Sequence, residues 1–202
     1  MKNLLLAMSA FFLLAAPSLA QNLAPNSYNS LFETPDILRA EYTEIKHIPS
    51  LTKPLRSEGV FVYMKDKGLL WDMNAPFNMQ TLITPKGLNQ WVDGKTQPQS
   101  KAAQKALHPI LENISDIFAG NMTTLAYHFD ITENSNENEW ALTLIPTSDH
   151  IKPYLQDIKV RGARYIHDVT ITYGKDKYTV VTYSNPQIGI AHITDKEREF
   201  FE

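Results

Sequence analysis

Four strand-length segments follow one another between residues 57 and 93, in SEGVFVYMKDKGLLWDMNAPFNMQTLITPKGLNQWVD, with no room for a helix among them. The separators KDKG, NAP and TPKG are rich in turn residues, which predicts an antiparallel meander with strands near 57–65, 68–74, 77–84 and 87–92. Gly68 and Gly87 are placed to supply positive φ in tight hairpins. Phe61, Tyr63, Trp71, Phe77 and Trp91 give these strands more apolar bulk than one oily face requires. The surplus implies a second surface to cover.

The period then changes once. Over residues 99–121, Ala103, Leu107, Ile110, Leu111, Ile114, Ile117 and Phe118 fall on one side of a helix. Lys101, Lys105, Glu112, Asn113 and Asp116 fall on the other, Gly120 is a natural stop, and Pro109 should kink or split the helix. Strand signals resume at 123–132, 138–146, 155–161, 164–173 and 177–184. Residues 147–154 fit a single helical turn capped by Ser148 or Asp149, and the charged tail from Asp195 is read as free to fray. Before the first meander, residues 21–36 are either a loose arm or a short helix around Tyr28 to Phe32, and residues 37–48 read as a helix running into a strand.

The sum is about ten strands and one good helix, in a mainly β, α+β chain. That is too little helix to layer over a flat sheet of this size, and a sheet so wide tends to curl. A curled, unclosed sheet has a concave apolar face, and an amphipathic helix can lie across its mouth.

The start of the chain, MKNLLLAMSAFFLLAAPSLA, has a positive residue at Lys2, an apolar run from Leu4 to Ala16 and small residues at Ser18 and Ala20. This is the pattern of a secretory signal peptide cut after Ala20, leaving residues 21–202 as one domain. The run is shorter than the roughly 20 residues of a spanning helix. The absence of Cys in an exported chain suits the bacterial periplasm. With 19 Lys and Arg against 22 Asp and Glu and no basic block, nucleic acid is not an expected partner. His47, His108, His128, His150, His167 and His192 have no metal-ligand spacing, and there is no G-x-S-x-G elbow. Neither an enzyme, nor a metal, nor a cofactor is expected. A monomer is.

Several short motifs occur in a fixed order. Gly59-Val60-Phe61 ends in an aromatic; GLLWDMNAP follows with Trp71 and Pro76; a helical insert comes next; then Trp140-Ala141-Leu142-Thr143-Leu144-Ile145-Pro146. The chain resembles the periplasmic outer-membrane lipoprotein carrier family (LolA-like proteins), and most closely its paralogues found beside lipid or polyene biosynthesis and exporter genes. The resemblance implies an unclosed half β-barrel of about eleven strands under a helical lid, with a cavity that takes acyl chains of a lipid or lipidated cargo. It also implies an inner-membrane exporter as donor, of ABC type or of the resistance–nodulation–division (RND) superfamily, and an outer-membrane acceptor. The housekeeping carrier fastens its lid with an Arg, where this chain has Lys65, Asp66 and Lys67 in YMKDKGLLW. An ammonium does not reproduce the planar fork of a guanidinium.

The expected cavity residues are Phe61, Trp71, Phe77, Trp91, Leu125, Tyr127, Phe129, Trp140, Leu142 and Leu144. The expected lid residues are Leu107, Ile110, Leu111, Ile114, Ile117 and Phe118. The alternative function for the same open sheet is a chaperone or binding module that takes unfolded outer-membrane proteins along its edge strands.

Overall fold

The computed structural model describes residues 33–98, 113–136, 138–149 and 151–202. The signal-peptide segment, the short helix around Tyr28 to Phe32, Pro109 and the lid residues Leu107, Ile110 and Leu111 lie outside the described residues. The strands are β1 (Ile37–His47), β2 (Leu55–Met64), β3 (Gly68–Ala75), β4 (Met79–Thr84), β5 (Gly87–Val92), β6 (Lys95–Thr96), β7 (Phe129–Glu133), β8 (Trp140–Pro146), β9 (Asp157–Gly162), β10 (Ile166–Gly174) and β11 (Lys177–Ile188). The helices are α1 over residues 113–119, α2 (Met122–Ala126) and α3 (Asp195–Glu199).

All eleven strands form one antiparallel sheet in the order β6-β5-β4-β3-β2-β1-β11-β10-β9-β8-β7. Two meanders are thus zipped together through β1 and β11, with Tyr42 opposite Tyr183 and Glu44 opposite Val181. The sheet does not close: β6 and β7 are its two outer edges. Among the described residues, α1 and α2 are the elements that lie between these two edge strands in the chain. α1 and α2 pack onto the concave face, where Ile114, Ile117, Phe118, Met122 and Leu125 join the main core. The half-barrel with helical elements is the architecture expected from the sequence. Register shifts at Arg39/Glu41, Glu58/Gly59, Ile166/Asp168 and Thr172/Gly174 add local twist, which curls the sheet.

Gly68 (φ 128°) and Gly87 (φ 134°) take the left-handed backbone that their hairpins need. Three sequence expectations need correction. Residues 37–47 are strand throughout, not helix followed by strand, because β1 is the central strand to which both meanders hydrogen-bond. The strand expected over 123–132 begins only at Phe129; Met122 and Leu125, three apart, are buried beneath a helical turn instead. The C-terminal segment does not fray. Thr194 and Glu197 form a capping box, and Glu197 also accepts from Arg39 Nε at 3.0 Å and 3.2 Å.

This last segment answers the surplus of apolar residues. Ile193, Phe200 and Phe201 cover Val62, Met64, Leu70, Leu82 and Trp91 on the convex side of β2–β5. That half of the sheet is apolar on both faces. No helix among the described residues is long and apolar enough to cross a membrane.

Candidate functional site: a cavity on the concave face

Alternate residues of five strands point into the concave side. The pleat places Tyr42, Glu44 and Lys46 of β1 there, and with them Trp71 and Met73, Met79 and Thr81, Val169, Ile171 and Tyr173, and Thr179, Val181 and Tyr183. Between them lies a cavity of about 500 Å³, to which α1 contributes Ile114 and the β3–β4 turn contributes Pro76 and Phe77. Cross-strand register builds its floor: Tyr42 lies between Gly59 and Tyr183, Glu44 between Ser57 and Val181, and Lys46 between Leu55 and Thr179. The most accessible lining side chains are those of Leu55, Pro76 and Phe77, with Lys46 beside them. They mark the mouth.

The inner end is closed by aromatic rings. Phe61 lies 4.6 Å from Phe118, 5.0 Å from Trp71 and 5.0 Å from Tyr183, and Phe118 lies 5.3 Å from Tyr183. A smaller cavity of about 210 Å³ follows on the far side, bounded by Leu38, Ala40, Ile166 and again Tyr183.

The polar groups of the deep wall are neutral. Burial raises the hydroxyl pKa of Tyr42, with the charges of Glu44 and Asp72 adding to it. Burial likewise holds Tyr183 well above the ordinary tyrosine value. Tyr173 is raised by burial, against the opposing effects of the neighbouring Thr179 hydroxyl and the charge of Lys46. These hydroxyls stay protonated at neutral pH. Charge inside the cavity is confined to the floor, where Lys46 Nζ meets Glu44 Oε1 at 3.1 Å; the Arg56–Glu58 pair, at 3.0 Å, takes the opposite parity of β2. Among the described residues no group of three or more His, Asp or Glu side chains could hold a metal ion.

Of the residues singled out from sequence, Trp71, Phe77 and Ile114 line this cavity. Phe61, Ile117 and Phe118 are buried in the main core, the first and last in the aromatic cluster that closes the cavity's inner end. Leu125, Phe129, Trp140, Leu142 and Leu144 are buried in the same core, where α2 and the β7–β9 arm fill the concave space. Trp140 donates its indole N–H to the Ala163 carbonyl. Two residues lie elsewhere. Trp91 takes the opposite parity in β5, faces the convex side and packs 5.1 Å from Phe200. Tyr127 follows the last turn of α2, rather than sitting in a strand, and is 78% exposed. Lys65, in the stretch without Arg, pairs with Asp36 at 3.1 Å.

Sequence reasoning missed Tyr42 and the rows on β10 and β11. The second rows were visible as alternation in VTITY and TVVTY. Tyr42 was hidden because its row continues into Glu44 and Lys46.

No protein-family model matches the sequence, and no curated protein matches it. Solved structures do. A LolA superfamily protein from Nitrosomonas europaea is similar at 9% identity and a TM-score of 0.44, covering 88% of this chain and 94% of that one. A DUF1329 family protein from Desulfovibrio piger is similar at 11% identity and a TM-score of 0.48, covering 88% and 96%. A putative outer membrane lipoprotein-sorting protein domain from Vibrio parahaemolyticus is similar at 10% identity and a TM-score of 0.46, covering 85% and 93%. The architecture itself rests on the strand order and register above.

Proposed function

We propose that this chain is a periplasmic carrier that holds an acyl chain of a lipid or lipidated cargo in the concave cavity and shuttles it from the inner to the outer membrane. The observation that carries this reading is the cavity itself: apolar-walled, roofed in part by Ile114 and open at one mouth. Its volume of about 500 Å³ lies within the roughly 300–1,000 Å³ typical of sites for one small ligand. Burying acyl chain contributes about 0.8 kcal/mol per methylene, so about twelve methylenes offer about 10 kcal/mol before the costs of association. Water does not compete for such a chain. Release therefore calls for a second apolar site, which is the physical case for an outer-membrane acceptor. The donor in this reading is an inner-membrane exporter of the RND superfamily or of ABC type.

The test is direct. Residues 21–202, exported and purified without detergent, should carry an amphiphile detectable by mass spectrometry of the organic extract. After delipidation the protein should bind the neutral fluorophore N-phenyl-1-naphthylamine saturably, at about one per chain. A protein that yields no amphiphile and binds no probe, but binds extended peptides, would favour the chaperone alternative.

A further inference from the structure

Building on the acyl-binding reading above, we infer that Tyr183 is the stop that sets how long a tail the cavity accepts. The concave face holds two cavities in line. Along the inward row of β1, Lys46, Glu44 and Tyr42 line the cavity of about 500 Å³. Ala40 and Leu38, next along the same row, line the cavity of about 210 Å³. Among the described residues Tyr183, directly opposite Tyr42 on β11, is the one that borders both.

The facing row of β11 is graded in the same direction. From the mouth inward it runs Thr179, Val181, Tyr183, opposite Lys46, Glu44 and Tyr42 in turn. Two small side chains leave room for a ligand, and a ring then fills it. Lys46 to Tyr42 is about 13 Å of strand, which is the depth available before the ring. The ring is held in place, because Phe61 and Phe118 lie 5.0 Å and 5.3 Å from it and both are buried. Beyond it the space reopens beside Ala40, whose side chain ends at Cβ.

A methylene that reaches Tyr183 therefore meets a packed aromatic cluster, and close-packed interiors do not admit another carbon without strain. A longer tail leaves its surplus methylenes at the mouth, in water, where they add no affinity.

Displacement of N-phenyl-1-naphthylamine by straight-chain carboxylates, from octanoate to icosanoate, tests this. In the parent chain each added methylene should tighten binding about fourfold up to one length, and hardly at all beyond it. In Tyr183→Ala the space of the ring and the smaller cavity join the site. The break should move to a longer tail, and the longest carboxylates should bind about tenfold or more tighter than they do to the parent. Tyr183→Phe keeps the ring and should leave the break in place. Ala40→Leu on the Tyr183→Ala background refills the smaller cavity and should move the break back. If Tyr183→Ala fails to fold, Tyr183→Leu, which shortens the side chain and keeps it apolar, serves in its place. An unchanged break in the folded Tyr183→Ala or Tyr183→Leu variant, an equal shift in Tyr183→Phe, or affinity that keeps rising with length in the parent overturns the inference while acyl binding stands. If no carboxylate displaces the probe, the acyl-binding reading falls and the inference with it.

Discussion

Gly59 faces the concave surface between Tyr42 of β1 and Met73 of β3. A Cβ added there would collide with the carbonyl oxygen of Asp72, a backbone atom that no rotamer change can move. The Gly59→Ala variant is therefore expected to lose about 1–3 kcal/mol, the usual cost of overpacking. The measurement is a fall in urea midpoint at unchanged slope. Tyr127→Ala supplies the contrast: at a position so exposed, the change should stay within about 0.5 kcal/mol. The Gly59-Val60-Phe61 motif was legible because each of its outer residues does one thing, a close backbone approach and a buried ring. Tyr42 was not, because its importance comes from Tyr183, which is far away in sequence and opposite it in space. Trp91 misled for a related reason. Bulk identifies a residue that must be covered, and the cover at Phe200 lies over a hundred residues away.

Elements were legible where one period held across a whole segment. β3, β5 and β8 alternate or are bounded by turn residues, and each lies where its pattern predicts. β1 carries charged residues on its inward row and apolar ones on both rows, so neither period dominates; only pairing on both edges makes it a strand. α2 has five residues, too few for a helical period to outweigh the apparent alternation of Leu125, Tyr127 and Phe129. α1 was legible from Ile114, Ile117 and Phe118, and the structure separates their duties. Ile114 reaches the cavity, whereas Phe118 is wedged between Phe61 and Tyr183. Phe118→Ala should cost about 3–5 kcal/mol in stability, read from the denaturation midpoint. Ile114→Asp should lower the affinity for N-phenyl-1-naphthylamine about tenfold or more at a temperature where the variant is folded, because it sets a charge against the apolar ligand, and it should also lower stability because Ile114 is buried. Unchanged probe affinity in Ile114→Asp would show that the ligand does not lie against α1.

At the scale of the whole molecule, a sheet that curls without closing has two surfaces to hide, and the chain hides them by different means. The concave face is covered in part by α1 and α2, leaving the cavity on one side and a filled core on the other. Among the described residues, the convex face over β2–β5 is covered by the last residues of the chain, through Ile193, Phe200 and Phe201. That cover is pinned at its centre. Glu197 is buried, completes the capping box with Thr194 and takes a two-oxygen hydrogen bond from Arg39 of β1, so α3 is fastened to the strand on which both meanders meet. Its charged composition concealed this from the sequence, since one buried carboxylate among solvated ones leaves no pattern. Deleting residues 190–202 should therefore expose Val62, Leu70, Leu82 and Trp91 together. The expected outcome is a lower thermal midpoint and concentration-dependent aggregation, as large exposed apolar patches produce. The milder Phe200→Ala variant should lose about 1–3 kcal/mol, the range for an apolar side chain returned to water. Because α3 covers the face opposite the cavity, Phe200→Ala should bind N-phenyl-1-naphthylamine as tightly as the parent chain at a temperature where both are folded. A loss of probe binding in the folded variant would mean that the two faces are energetically coupled through β1. Unchanged stability in both variants would mean that the convex apolar face needs no cover.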